Sequence, residues 1–310
     1  MLKYFLMTNR TDIDGITWID IESPSGEELD TVCAEYGVDP FVREELALPT
    51  LHPFVTQFPT YLYTILHFPV AEQSHSKPGH QEIDFVIGKN FLITVRYDMV
   101  DSLHHLRKML ETEAILNRTP NLSHAGELFV HMITRLYKGV SDELKHQTSR
   151  IAHIEQHIFD GKEKDMLFDI SRTAQTLLSF RQAIQNHREP LESFLVEGVD
   201  FFGKKFTLFA QSILGEQHRI SQQIIGHIET VRELRETNNS LLTTKQNDIT
   251  RVLTVVAFTA LPATLIATIF AMEVKGNPLA DHPYDFWIII SIMIATSGIF
   301  FLISLIKRWL

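Results

Sequence analysis

A few oxygen-bearing side chains interrupt an otherwise apolar run in the last fifth of the sequence. Thr254, Thr259, Thr264 and Thr268 lie between Ile249 and Met272, and Asn247 and Thr250 stand at its inner end. A polar group in such a run must face protein or water. With about 3.6 residues per turn, positions 247, 250, 257, 261, 264 and 268 fall on one face of a helix, and Leu253 lies beside it. The threonines can bond their own helix backbone or pack against a neighbouring helix, and the chemistry otherwise open to that face is hydrogen bonding to a hydrated cation. Neutral oxygens can hold such an ion's water shell without stripping it. Leucines at 253 and 261 would close such a path by dewetting. Pro262 brings no N–H to the helical ladder and marks the Phe258 carbonyl as a further oxygen for the path.

Glu273 follows the run. A ring of such carboxylates would gather cations at a mouth, favour divalent ions and titrate with pH, because like charges raise one another's pKa. The alternative is an exposed Glu273 paired with Lys275. His153 and His157 are one helical turn apart, a spacing zinc accepts. No third ligand is specified, so solvated helix histidines are the preferred reading, and His104, His105 and His282 are no more specific. There is no phosphate-binding glycine loop, nucleophile elbow or HExxH helix, so an enzyme reading has nothing to rest on and no cofactor is called for.

The elements that must position these groups follow from hydropathy. Ile249–Met272 and Phe286–Ile306 are each long enough to cross about 30 Å of hydrocarbon at about 1.5 Å per residue, so they read as a membrane-spanning hairpin. Arg251 is the one charged residue in either run. Lys245 and Arg251 flank the first span and Lys307 and Arg308 the second, whereas the link 273–285 holds three acids against one lysine, a net −2. The positive-inside bias predicts an inner (plasma) membrane protein with both termini cytoplasmic and the link outside. Trp287 and Trp309 stand near opposite ends of the second span, where interfacial aromatics are favoured. Two helices cannot enclose a water-filled path, so transport requires several copies of the chain.

The remainder of the 310 residues reads as cytoplasmic. The net charge of −10 argues against nucleic acid as a partner, and the single cysteine, Cys33, excludes an intrachain disulfide. The first residues lack the apolar core of a signal peptide. Short strands are expected at Leu2–Met7, Ile16–Ile21, Phe54–Phe58, Tyr61–Phe68, Ile83–Ile87 and Phe91–Arg96. Ile83, Phe85 and Ile87 share one parity, with Asp84 and Val86 between them. Helices are expected after Ser25, after Asp39 and over Asp101–Leu116. Residues 1–118 thus form an α/β domain. Residues 119–203 read as a long helical hairpin. Its first arm carries Phe129, Ile133, Leu136, Val140, Leu144, Ile151, Ile154 and Ile158, with Gln147 or Thr148 in the seam. Its second arm carries Leu167, Ile170, Ala174, Leu177, Arg181 and Ile184 and runs on to Pro190. From about Lys204 a stalk helix (204–248), with the stripe Ile213, Ile220, Ile224, Val231, Leu234 and Leu241, continues without proline into the first span (249–272). The external loop is 273–285, the second span 286–306 and the basic tail 307–310.

Several stretches carry a family likeness: Asn247-Asp248-Ile249-Thr250-Arg251-Val252-Leu253-Thr254, Ala260-Leu261-Pro262-Ala263-Thr264-Leu265-Ile266-Ala267, Trp18-Ile19-Asp20, Phe91-Leu92-Ile93-Thr94-Val95-Arg96 and the terminal Lys307-Arg308-Trp309-Leu310. Over nearly its whole length the chain resembles the CorA family of divalent-cation channels and transporters. The resemblance implies a funnel-shaped homopentamer, a pore lined by the first span at Asn247, Thr250, Leu253, Leu261, Thr264 and Thr268, and Mg2+ as cargo, with Co2+ or Ni2+ possible. It also implies a regulatory divalent-cation site in the cytoplasmic domain, for which no motif is matched. The family's Gly-Met-Asn signature falls on Ala271, Met272 and Glu273, so only the methionine is kept. That departure leaves open a zinc-specialised or proton-coupled relative, or a non-conducting membrane scaffold or sensor.

Overall fold

The computed structural model describes residues 8–50, 53–69, 80–97, 107–108, 122–272 and 284–307. Among these, six strands form one sheet in the order β1-β2-β6-β5-β4-β3: β1 Thr8–Ile13, β2 Ile16–Glu22, β3 Val55–Gln57, β4 Tyr61–Pro69, β5 His80–Gly88 and β6 Phe91–Arg96. Every pairing is antiparallel except β2 with β6, which sets Thr17 opposite Phe91. The expected strand at Leu2–Met7 lies outside the described residues. β1 itself carries Thr8, Asn9, Arg10, Thr11 and Asp12 and shows no apolar alternation. As an edge strand it needs only one neighbour and can remain polar.

Two short helices cross from β2 toward β3. The first, α1 (Gly26–Tyr36), opens where the Ser25 side chain accepts from the Glu28 N–H and closes at Gly37, whose φ of 64° is left-handed. The second, α2 (Pro40–Glu45), opens where Asp39 accepts from the Phe41 N–H and Pro40 starts the helix. They cover one face of the sheet, where Leu29, Val32, Val42 and Leu46 pack with Tyr61, Tyr63, Ile65, Val86, Ile93 and Val95. The opposite face meets α3 (Ala125–Phe159) and α5 (Arg188–Phe202) through an aromatic row. Phe85 lies edge-on to Phe129 at 5.1 Å, and Phe129 is 4.7 Å from Phe194. Because helices cover both faces, the strands read as near-continuous apolar runs.

The first arm of the hairpin, α3, buries every residue of its expected stripe, with Gln147 in the seam. The second, α4 (Met166–Gln185), has the expected period in a different phase: Met166, Ile170, Thr173, Leu177, Phe180 and Ile184 face inward. Leu167 is 42% exposed and Arg181 is exposed. One residue of rotation buries Met166 and Phe180 in place of Leu167 and Arg181, removing more apolar surface and keeping a charge in water. The second arm also stops before Pro190. Pro190 stands in the first turn of the separate helix α5, where no N–H is required. Of the helix expected over Asp101–Leu116, only 107–108 are described, and these are helical.

A single turn of 3-10 helix, Lys204–Phe206, leads into α6, Thr207–Ala271, which contains Pro262. Its stripe Ile213, Ile220, Ile224, Val231 and Leu234 is buried and Leu241 is half-buried. The last described helix is α7, Asp285–Ile306. The contacts divide the chain into two compact units, Met1–Gly161 with Asp165–Leu234, and Lys162–Lys164 with Arg235–Leu310. Two helical stretches, Lys204–Ala271 and Phe286–Ile306, are long and apolar enough to cross a membrane.

Candidate ion path

The C-terminal unit pairs the apolar part of α6 with α7. The covered side of α6 is marked by Val255, which is buried, and by Phe258, whose ring lies edge-on to Phe300 at 4.9 Å. On the same side Thr259 and Ala263 join Met293, Ile294, Ser297, Gly298 and Phe301 around an apolar groove of about 520 Å³. The opposite side is uncovered in the protomer. Leu261, Thr264 and Thr268 lie there and are exposed, Leu261 at 67%, whereas residues 243–254 are exposed on every side, so that exposure singles out no face for Asn247, Thr250 and Leu253, the last at 63%. Pro262 is half-buried on the covered side. Ala271 is the exposed last residue of α6, Met272 beyond it is 60% exposed, and Glu273 lies outside the described residues, as do Lys275, His282 and Trp309.

The threonine hydroxyls have a definite polarity. Thr250 Oγ1 donates to the Gln246 carbonyl at 2.9 Å, Thr264 Oγ1 to Ala260 at 3.0 Å and Thr268 Oγ1 to Leu265 at 2.9 Å. Each hydroxyl has one proton and two lone pairs. With the proton committed to the helix backbone, the oxygen presents only acceptor capacity outward. The water shell of a cation points hydrogens outward, so such oxygens suit a hydrated cation and offer no donor to an anion. The same back-bonding lets the hydroxyls sit in an apolar run without an unmet donor.

At the inner end of this unit, Lys245 Nζ donates to Glu163 Oε2 at 2.6 Å, joining the turn between α3 and α4 to α6 four residues before Ile249. That hydrogen bond holds the Glu163 carboxyl below its ordinary value. Nothing local announces this contact, because its partners are 82 residues apart.

The other candidates separate from this site. His153 and His157 rings are 4.0 Å apart on α3, and His157 Nδ1 donates to the His153 carbonyl, which takes that nitrogen away from metal ligation. Among the described residues no three of His, Cys, Asp or Glu come together as a metal site. His104 and His105 lie outside the described residues. Cys33 is buried, and burial pushes its thiol up to about 11, so it is not a reactive thiolate.

The protein thus joins an α/β layer to two helices long and apolar enough to cross a membrane, the architecture of a two-span membrane protein. The family model described as CorA-like Mg2+ transporter protein matches residues 14–308, and the chain belongs to that family. It is a family of transporters, not enzymes. The chain is 20% identical over 297 residues to the cobalt/magnesium transport protein CorA of Methanocaldococcus jannaschii, covering 95% of this chain and 92% of that protein. It is 20% identical over 295 residues to the protein of the same name from Thermotoga maritima, covering 95% and 83%. The fold matches the complete structure of the CorA magnesium transporter from Methanocaldococcus jannaschii with a TM-score of 0.80 at 20% identity, over 96% of this chain and 92% of that one. It matches the structure of the full-length CmaX protein with a TM-score of 0.75 at 14% identity, over 95% and 88%.

Proposed function

We propose that five copies of this chain surround a water-filled axis lined by α6 and pass hydrated divalent cations, Mg2+ first and Co2+ or Ni2+ as further cargo, passively down their electrochemical gradient. The observation that supports this reading is that Leu261, Thr264 and Thr268 lie on the side of α6 opposite α7, and that Asn247, Thr250 and Leu253 continue the same helical face toward its start. In a symmetric assembly these positions become an amide ring, three hydroxyl rings and two leucine constrictions. The hydroxyl oxygens accept from the ion's water, and the leucines shut the path when it dries. Basic residues at Lys245, Arg251, Lys307 and Arg308 support an arrangement with both termini on the cytoplasmic side of the inner membrane and the link outside. An inside-negative potential then drives entry with about 2.3 kcal/mol per charge per 100 mV, doubled for a divalent ion.

Glu273, one residue beyond Met272 in the sequence, is proposed to form the outer-mouth ring in place of the family asparagine. Replacing Glu273 by Gln is expected to lower divalent entry and flatten its pH dependence. The whole reading is tested by reconstituting the protein in liposomes that enclose a magnesium-sensitive dye and imposing an inside-negative potential. Mg2+ uptake, together with a detergent-solution mass of several protomers, is expected. A lone protomer, or oligomers that admit no divalent ion, would overturn it.

A further inference from the structure

The N-terminal unit buries an acid that the ion path does not use. Glu82 and Asp84 are two residues apart on β5 and point to the α1/α2 side of the sheet, the side of Val86. Asp84 is 0% exposed and Glu82 6%. The two carboxyl groups are in different states of satisfaction. Glu82 Oε2 and Oε1 accept from the Thr50 N–H at 2.7 and 2.9 Å, and Oε2 accepts from His67 Nε2 at 2.9 Å. His67 Nε2 also lies 2.9 Å from the Thr50 carbonyl, and since both neighbours are acceptors this nitrogen carries a proton. Among the described residues Asp84 Oδ2 accepts two long bonds, 3.3 Å each from the Tyr63 and Tyr97 hydroxyls. Asp84 Oδ1 is buried and meets no donor among the described residues. A buried carboxylate oxygen with no donor, next to a second carboxylate already committed as an acceptor, is satisfied by a proton on itself.

The ionisable groups that face Asp84 among the described residues are Glu82 on β5, Tyr63 and His67 on β4, Tyr97 after β6 and Glu45 at the end of α2. None supplies a positive charge directly to Asp84, because His67 is turned to Glu82. Burial, reinforced by the charge of Glu82, pushes the Asp84 carboxyl well above the usual carboxylate range. For His67, burial pulls downward, but the bonds to Glu82 and to the Thr50 carbonyl outweigh it and leave the ring above its ordinary value. A neutral Asp84 beside a Glu82 bonded to Thr50 and His67 therefore avoids two adjacent carboxylates in one buried site.

This cluster is tied to the helices. The backbone carbonyl of His67 accepts from His187 Nε2 at 2.8 Å, and His187 Nδ1 accepts from the Tyr137 hydroxyl of α3 at 2.8 Å. The turn that carries His187 is in turn held by α6, where Gln217 Nε2 donates to the Ile184 carbonyl at 3.0 Å.

We propose that Asp84 carries a proton at neutral pH and that this proton keeps Glu82 clamped on Thr50, so that the α/β domain is a pH-sensitive element of the transporter. When the proton leaves in alkaline solution, two carboxylates share one buried site. Glu82 is driven out, the Thr50 segment is released, and the His67 strand that holds His187 loosens. The test uses the full chain in detergent and in liposomes. At neutral pH the infrared carbonyl band of a protonated, buried carboxylic acid is expected in the wild type, lost on alkaline titration and absent in Asp84→Asn. Amide exchange at Thr50 should rise about 100-fold per pH unit as Asp84 titrates, against the tenfold chemical dependence in Asp84→Asn, because one linked proton adds a factor of ten. An acid band unchanged by Asp84→Asn, or the same exchange profile in both proteins, overturns the proposal. Should Asp84→Asn fail to fold, Glu82→Gln serves instead. Burial still holds the Asp84 proton there, so the band should persist and titrate at lower pH once the neighbouring charge is gone, and a band lost at every pH assigns the proton to Glu82 and overturns the proposal. Cation flux in Asp84→Asn should match wild type at neutral pH and lose the alkaline change. If wild-type flux shows no alkaline change while the band titrates, the regulatory role is refuted and transport itself stands.

Discussion

Replacing Thr264 by Val tests the acceptor character of the α6 face with little change in shape. Valine has nearly the volume of threonine and the same branching at Cβ, and an apolar methyl is welcome in a span. The hydroxyl's own bond to the Ala260 carbonyl is lost, but that carbonyl belongs to the helical ladder and leaves no buried donor behind. The loss therefore falls on whatever the outward lone pairs hold. With net worth of about 0.5–1.5 kcal/mol per hydrogen bond, and two or three hydroxyls of a ring touching one hydrated ion, the loss is about 1–4 kcal/mol. Expressed as a barrier, that is a flux reduction of roughly 5-fold to 1000-fold, since about 1.4 kcal/mol corresponds to tenfold. The assay is dye-reported Mg2+ uptake in liposomes, with Thr264→Ser as the control that restores the oxygen and should recover most of the flux. Flux in Thr264→Val within twofold of wild type would refute the reasoning, because it would mean that no ion-bound water rests on this oxygen.

Three further outcomes follow from the geometry. Thr94 Oγ1 accepts from Trp18 Nε1 at 3.1 Å and donates to Asp20 at 2.8 Å in the middle of the sheet, so Thr94→Val should cost about 1–3 kcal/mol and lower the melting temperature of the full chain in detergent by a few degrees. A Cβ at Gly198 would meet Phe206 Cε1 at 2.9 Å, so Gly198→Ala should destabilise by about 1–2 kcal/mol despite the usual gain of alanine in a helix, measurable by the same melt. Lys245 and Glu163 should couple directly with a zero-length carbodiimide, and Lys245→Met should abolish the product. Because Glu163 has its carboxyl depressed from 4.5, the ion pair is fully present above that pH and is lost as pH falls through the lowered value, so acid unfolding of this contact should begin below pH 4.5.

The positions where reading by pattern diverged from the structure share a cause. In α4 the period was legible, but Leu167 and Met166 are both apolar, and only the surface of α3 and the sheet selects the phase that buries Met166 and Phe180. Asp84, between Ile83 and Phe85, has the spacing of an outward-facing residue on a half-covered strand. It is buried because α1 and α2 cover the second face as well. Within the first span the hydroxyls do not share one side: Thr264 and Thr268 are exposed opposite α7, and Thr259 lines the groove against it, which the spacing alone does not decide.

Local chemistry alone determined the two long apolar helices, the capped helix starts at Ser25 and Asp39 and the strands β2 to β6, because hydropathy and backbone geometry act over a few residues. Tertiary structure alone decided which side of α6 is covered by α7, that Glu163 reaches Lys245, and that Asp84 is enclosed beside Glu82. Those outcomes depend on surfaces brought together from distant parts of the chain, and a one-dimensional pattern does not say which partner a face will meet.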